Sequence, residues 1–139
     1  MFRVIATALI LTALPIAAIS KEADKPEVLA VLFYADWCGS CKILDPEVTK
    51  ARSEADLDRQ PVVFVRLDLT DETTRYQAGL LASSLGLEEV YADYGSGTGF
   101  MLLVDADSKA VLATLRKSMD AAVIADQILG SIKAASSAT

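Results

Sequence analysis

The sequence contains no histidine, and only two of its 139 residues are cysteine. Without histidine the chain cannot form a cysteine–histidine hydrolase site or the histidine sites that commonly bind copper. A zinc ion held by the two cysteines would need two further ligands, and the chain has no other cysteine or histidine to supply them. We therefore expect neither a metal nor an organic cofactor.

Basic residues are also scarce, because 13 lysines and arginines face 19 aspartates and glutamates, for a formal net charge of −6. This balance disfavours nucleic acid as a partner. The sequence shows no internal repeat and no low-complexity domain, and its length fits one domain with a hydrophobic core.

The first twenty residues differ in composition from the rest. Arg3 is followed by an uncharged run from Val4 to Ile19, and the small residues Ala18 and Ser20 occupy the minus-three and minus-one positions of a cleavage site after Ser20. This pattern predicts a secretory signal peptide over 1–20, cut after Ser20, and a domain over 21–139. The alternative is an uncleaved N-terminal membrane anchor, although the run is slightly shorter than the roughly twenty residues of a usual span.

Both cysteines lie where a strand is expected to become a helix. Residues 28–34 are apolar apart from one tyrosine hydroxyl, as in a strand buried on both faces. Apolar residues then recur at helical spacing, namely Ile43, Leu44, Val48, Ala51 and Ala55. Unpaired N–H groups and the helix dipole at such a junction stabilise a thiolate. We predict that Cys38 attacks and that the more buried Cys41, one turn further on, resolves the mixed disulfide.

Two other interpretations of the pair remain open. A purely structural disulfide is one, although so short a loop restrains the unfolded chain weakly. Half of a metal site is the other, and it lacks further cysteine or histidine ligands. A c-type haem motif would require histidine where the chain has Lys42.

The segment Tyr34-Ala-Asp-Trp-Cys-Gly-Ser-Cys-Lys42, with Pro46 five residues after the second cysteine, resembles the active site of the thioredoxin superfamily. The resemblance implies an α/β domain with a minimal thioredoxin-like fold, a central mixed sheet with helices on both faces. It also implies thiol–disulfide oxidoreductase activity through the catalytic cysteines. Five neighbouring residues would support that site: Trp37, Gly39, Ser40, Lys42 and Pro46.

Within the superfamily, this segment and Leu67–Asp71 are most similar to the C-terminal domain of periplasmic thiol:disulfide interchange reductases. That similarity implies a periplasmic or otherwise exported protein that works in the reductive direction and in redox homeostasis. Its partners would be exported proteins with thiols or disulfides and a redox partner that donates or accepts electrons. Membrane association is expected only if the N-terminal segment stays uncleaved and anchors the domain so that it faces the periplasm.

Two positions depart from the family pattern. Gly99, preceded by Thr98, stands where the family has a cis-proline beside the bound substrate, so we expect these two residues to bind substrate. A plain glycine-rich loop is the alternative. Leu32 stands where the family has a buried aspartate, which leaves Arg66 without the expected carboxylate. Asp36 and Asp45 are the nearest substitutes, but both are interpreted more simply as surface acids.

These departures favour an alternative function, a weakly active or redox-inactive binding module that uses the loop 87–99. The retained motif residues argue more strongly against it, namely Trp37, Cys38, Cys41, Lys42 and Pro46. We predict that residues 87–94 form a lid or docking element beside the cysteines. The other interpretation is a short extra helical turn whose tyrosines cover an open sheet edge.

The remaining elements follow from apolar periodicity and turn residues. A second strand over 62–69 should run parallel to the first, and strands 99–104 and 111–115 should pair antiparallel. Thr70 or Asp71 should cap a helix that ends at Gly86. Its expected inner face is Tyr76, Leu80, Leu81 and Leu85. Ser118 should cap the last helix, with an inner stripe of Ala121, Ile124, Ala125, Ile128 and Ile132 and a frayed tail from Ala134.

Overall fold

The computed structural model describes residues 25–138. The predicted signal peptide or anchor therefore lies outside the described residues. Four strands and four α-helices follow in the order β1 (Val28–Tyr34), α1 (Cys41–Glu54), β2 (Val62–Asp68), α2 (Glu72–Ser84), α3 (Glu88–Tyr94), β3 (Phe100–Asp105), β4 (Val111–Arg116) and α4 (Ala121–Ser137). None of the helices within the described range is long and apolar enough to cross a membrane.

Strand β1 lies inside the sheet, whose strand order is β2-β1-β3-β4. It pairs in parallel with β2 and antiparallel with β3, which in turn pairs antiparallel with β4. Both strand pairings predicted from the sequence are therefore confirmed. The continuous apolar run of β1 follows from this central place, because its alternate side chains enter two different cores.

One core lies between the sheet and helices α1 and α4, and the other between the sheet and helices α2 and α3. On the first side, Leu32 of β1 packs among residues such as Leu44 and Ile128. On the second, Phe33 packs among residues such as Ala82 and Val90. Helices thus cover both faces of a mixed sheet, as predicted, and the fold is α/β and thioredoxin-like.

The predicted inner face of α2 is wrong for Tyr76, Leu80 and Leu81, whereas Leu85, at the end of the helix, packs against the core as predicted. Tyr76 and Leu80 are 71% and 57% exposed, and Leu81 is exposed as well, while the buried residues of this helix are Ala78 and Ala82. The small side chains let the helix backbone approach the sheet closely, so the large apolar residues are left on the outer surface.

The ends of α2 agree with the sequence prediction. Asp71 caps its start and forms a capping box with Thr74. At its end Gly86 adopts a φ of +68°, and the N–H of Leu87 donates to the carbonyl of Ala82 over 2.8 Å. The N–H of Gly86 donates to the carbonyl of Ser83, which completes a Schellman motif.

Two predictions about the last helix need correction. Its cap is Asp120, whose carboxylate accepts from the N–H of Val123, and not Ser118. The helix does not fray at Ala134 but continues to Ser137, because Ala135 is buried in the core beside α1. The predicted inner stripe from Ala121 to Ile132 is confirmed.

Candidate active site

Cys38 lies in the loop after β1, and Cys41 is the first residue of α1. The two form a disulfide, with Cα atoms 5.3 Å apart. Cys38 is 6% exposed and Cys41 is fully buried. Cys38 is thus the more accessible of the two cysteines, and the attacking role of Cys38 and the resolving role of Cys41 stay predictions.

The sulfur of Cys38 caps the first turn of α1. The N–H of Cys41 donates to Cys38 Sγ over 3.2 Å. The side chain of Ser40, which occupies the N-cap position, makes no capping hydrogen bond. Because the first N–H groups of a helix have no partner within it, they stabilise negative charge on this sulfur when the pair is reduced.

The carbonyl oxygen of Phe33 lies beneath the buried cysteine. It is 3.7 Å from Cys41 Sγ and accepts the N–H of Gly99 over 2.9 Å. One oxygen at the end of β1 thus joins the resolving sulfur to the segment that enters β3. In the reduced protein this oxygen is an acceptor for the Cys41 thiol proton.

Gly99 lies directly over the cysteine pair, as its sequence position predicts. Its φ is +88°, and a Cβ there would lie 2.6 Å from Ser40 Cβ and 3.2 Å from Cys38 Sγ. No peptide bond is cis within residues 25–138. The Gly99 N–H is already donated to Phe33, so what Gly99 can offer a substrate strand is its carbonyl.

Thr98 precedes it and is partly buried. Its backbone N–H and carbonyl take part in none of the hydrogen bonds found within the described residues. Both groups are therefore open to an extended substrate segment, and the assignment of Thr98 and Gly99 to substrate binding stays a prediction.

Trp37 stands at the rim of the site and is 62% exposed. Its indole N–H donates to the carbonyl of Thr70 over 3.1 Å, and the backbone N–H of Asp36 donates to the hydroxyl of the same threonine. The Thr70 hydroxyl in turn donates to Asp68. These bonds hold the indole in place and leave most of its surface open to a partner.

Thr70 is a residue of the active site to which the sequence pattern alone assigns no role there. A signal was available, because Thr70 follows β2 directly and the ends of neighbouring parallel strands lie side by side. The other predicted support residues lie on the surface: Gly39 and Lys42 are exposed beside the cysteines, and Pro46 is exposed within the continuous helix α1.

Arg66 does have a carboxylate partner in Asp45, one of the two acids named as the nearest substitutes for the missing aspartate, although the simpler interpretation of Asp45 is a surface acid. The Arg66 guanidinium pairs with Asp45 over 2.6 Å and lies 4.4 Å from the centre of the Tyr34 ring. The hydroxyl of Tyr34 donates to Asp36 over 3.0 Å, and this hydrogen bond raises the pKa of the tyrosine. Leu32 points into the apolar core, so the polar groups near the cysteines lie on the surface.

Segment 87–99 folds as helix α3 followed by a glycine-rich turn. Val90 is buried in the core, and the hydroxyl of Tyr91 donates to the backbone of Arg75 on α2. The ring of Tyr94 contacts Phe33 and Phe100, on the two central strands. The tyrosines therefore pack on one face of the sheet, and do not cover a sheet edge as the simpler interpretation expected.

Comparison with known families gives a match of residues 17–79 to the thioredoxin family model. The matched segment contains both cysteines and the strand and helix that hold them. This match supports the superfamily membership predicted from the cysteine motif. The residues that match the family model therefore include Cys38 and Cys41, which form the disulfide of the candidate active site.

Curated relatives of this superfamily domain include disulfide isomerases. The chain is 44% identical to protein disulfide isomerase-like 1-1 of Arabidopsis thaliana over 52 residues, which are 37% of this chain and 10% of that protein. It is 40% identical to protein disulfide-isomerase A4 of Mus musculus over 50 residues, 36% of this chain and 8% of that protein. The match thus spans about a tenth of the length of these relatives.

A solved structure of thioredoxin from Malassezia sympodialis is 18% identical and covers 81% of this chain and 80% of its own, with a TM-score of 0.42. The thioredoxin family match, the disulfide isomerase relatives and the vicinal cysteine pair together support thiol–disulfide oxidoreductase chemistry at this site.

Proposed function

We propose that this protein is an exported thiol–disulfide oxidoreductase that reduces disulfides in protein partners through Cys38 and Cys41. The observation that carries the proposal is the asymmetry of the pair. Cys38 is slightly exposed and its sulfur accepts the N–H of Cys41, while Cys41 is fully buried beneath it. The Cys38 sulfur can react with a partner protein, whereas the buried Cys41 sulfur can react only with Cys38.

The reaction starts from the reduced pair. The Cys38 thiolate attacks one sulfur of a partner disulfide, forms a mixed disulfide and releases the other partner sulfur as a thiolate. Cys41 then loses its proton and attacks Cys38 Sγ, which closes the Cys38–Cys41 disulfide and releases the second partner thiol. The partner gains two electrons and the protein loses them, which leaves the disulfide form of the present structure.

Substrate would bind as an extended segment over Thr98 and Gly99. The Thr98 backbone is unpaired in the described structure, and Gly99 lies so close to Cys38 that a Cβ on it would be 3.2 Å from Cys38 Sγ. A segment that pairs with this backbone brings its own cysteine to Cys38 Sγ. The exposed indole of Trp37 offers an apolar contact beside it.

Export is supported by the composition of residues 1–20, and the reductive direction by the similarity of the cysteine segment to periplasmic interchange reductases. A pair that works as a reductant in an oxidising compartment must be recharged, so the proposal includes an electron-donating redox partner. The other partners are exported proteins that carry disulfides.

The test combines trapping with a redox titration. Cys41→Ser should accumulate a mixed disulfide with protein partners or glutathione, whereas Cys38→Ser should abolish exchange. Alkylation with limiting reagent should label Cys38 first in the reduced protein. Preferential labelling of Cys41 would reverse the two roles, and failure of the parent to cycle between dithiol and disulfide would overturn the function.

The same titration distinguishes the proposed oxidoreductase from the alternative, a redox-inactive binding module that uses segment 87–99. A reduction potential between about −270 mV and about −120 mV, the range spanned by thioredoxin and strong oxidants, supports exchange. A pair that stays oxidised at every accessible glutathione ratio, in a protein that still binds a partner, supports the module.

A further inference from the structure

Two arginines of this domain lie over aromatic rings and pair with carboxylates. Arg66 lies 4.4 Å from the Tyr34 ring and pairs with Asp45. Arg52 lies 4.3 Å from the Phe64 ring and pairs with Asp58. Only one of these rings packs against the cysteines.

Tyr34 is the ring in contact with the active site. It packs against the small cluster formed by Ala35, Cys38 and Cys41 and also against the main core under α1 and α4, whereas Phe64 packs against the main core and not against the cysteine cluster. The Arg66 guanidinium therefore lies over a ring that packs against the cysteine cluster.

Asp45 fixes the position of that cation from the helix that begins at the cysteines. It follows Cys41 by four residues on α1, so both lie on the same side of the helix. Its carboxylate meets the Arg66 guanidinium over 2.6 Å. Asp36, which accepts the hydroxyl of Tyr34, fixes the ring from the loop on the other side.

We propose that Arg66 is a positioning residue that raises the reduction potential of the Cys38–Cys41 pair, acting through Tyr34 and opposed by Asp45. The inference rests on the proposed function, because it concerns the same pair. Reduction places a negative charge on Cys38 that the disulfide lacks. A nearby cation stabilises the reduced form, and a nearby anion destabilises it.

The sign of the effect follows for each partner. Arg66→Met keeps an apolar stem over the ring, removes the cation and leaves Asp45 unpaired, so the pair becomes more reducing. Asp45→Asn leaves the cation unopposed, so the pair becomes more oxidising. Because both side chains are partly exposed, we expect shifts of about threefold to tenfold in the equilibrium constant with glutathione.

The matched control is Arg52→Met. Arg52 has the same kind of ring contact and the same kind of carboxylate partner, but its ring does not contact the cysteine cluster. Its removal should leave the glutathione equilibrium unchanged. Arg66→Lys keeps the charge and should restore most of the parent equilibrium, and the double variant of Arg66→Met with Asp45→Asn should lie near the parent.

The experiment measures the glutathione equilibrium of the full chain and its variants, together with the pH at which the Cys38 thiolate absorbance appears. Opposite shifts for Arg66→Met and Asp45→Asn, with no shift for Arg52→Met, support the proposal. A structural role for the ion pair would shift both variants the same way, and that result would overturn it, as would unchanged equilibria. If the parent itself does not cycle, the proposed function fails instead.

Discussion

The backbone of Gly99 lies so close to the side chain of Ser40 that a side chain at position 99 would collide with it. A Cβ on Gly99 would lie 2.6 Å from Ser40 Cβ, and the φ of +88° is one that side chains of L-residues rarely adopt. Because Gly99 has no side chain, its backbone can lie against the turn that contains Cys38 and Ser40. Access to Cys38 depends on this contact, because the same Cβ would lie 3.2 Å from Cys38 Sγ.

We predict that Gly99→Ala lowers the free energy of unfolding by about 1–3 kcal/mol, from backbone strain and the displaced cysteine turn. It should also slow reaction with a small disulfide, since the new methyl group crowds Cys38. Gly39→Ala is the matched control, because a Cβ at Gly39 meets nothing within 4 Å. Urea unfolding and thiol exchange rates check this, and equal effects of the two substitutions would contradict it.

Much of the fold could be predicted because local patterns and the final packing agree. The apolar run of Val28–Tyr34 indicates a strand with two buried faces, and the stripe of α4 is buried as its spacing predicts. On α2 the two disagree. Tyr76 and Leu80 have helical spacing, but Ala78 and Ala82 allow closer approach to the sheet, so packing and not hydrophobicity selects the inner face.

The site divides in the same way. The cysteine pair and the position of Gly99 could be predicted, since they depend on local spacing and strand order. Strand order could place Thr70 near the cysteine loop, and Asp45 is one of two acids named beside Arg66, but the bonds from Trp37 to Thr70 and from Arg66 to Asp45 join residues 33 and 21 positions apart and could not be predicted as such. Contacts between residues so far apart depend on how the loops pack together at the end of the sheet. The spacing of residues in the sequence does not indicate that packing.

A second prediction concerns Asp105, which ends β3 and is 9% exposed. Its carboxylate accepts the N–H groups of Ser108 and Asp107, and the bond from Ser108 is the main reason that its pKa lies below its ordinary value of 3.8. The lowered pKa means that the carboxylate contributes its full stability above pH 3.8 and loses it as pH falls through the folded-state value.

Asp105→Asn keeps an acceptor but removes the charge, so it should be less stable than the parent at neutral pH. The difference should shrink as pH falls below about 4, where the parent carboxylate also becomes neutral. Urea midpoints at neutral and acidic pH measure this, with the surface variant Asp126→Asn as the control. A difference that stays constant or grows in acid would contradict the assignment.

A third prediction concerns Ser40, which has a φ of −67° and matches the angle that proline imposes. Its N–H takes part in no hydrogen bond within the described residues, so Ser40→Pro should fold. Removing an N–H from the turn beside Cys38 weakens the stabilisation of the thiolate. The pair should become more reducing by on the order of 30 mV, or about 1.4 kcal/mol.

The glutathione equilibrium measures this shift, and Ser40→Ala separates the hydroxyl from the N–H. Because the Ser40 side chain makes no capping bond, the alanine variant should shift the equilibrium less than the proline variant. An unchanged or more oxidising proline variant would rule out the N–H as the cause.

The last prediction concerns helix α3 as a docking element for protein partners. Deleting the helix cannot test this, because Val90 is buried and Arg75 donates to the carbonyl of Gly95 after the helix. Its outward residues can be changed without touching the core. Glu89 and Asp93 are exposed and line a cleft of about 580 Å³ between α3 and the turn that joins β3 to β4.

We predict that Glu89→Lys with Asp93→Lys leaves the urea midpoint and the rate with dithiothreitol within about twofold of the parent, because neither residue contacts the cysteines. Exchange with a protein partner trapped by Cys41→Ser should slow at least tenfold, a loss of about 1.4 kcal/mol. Glu54→Lys with Asp126→Lys makes the same change of charge on α1 and α4, across the sheet, and should leave that exchange rate unchanged. Equal slowing by both pairs would point to net charge as the cause, and an unchanged rate for the α3 pair would show that this helix only covers the core.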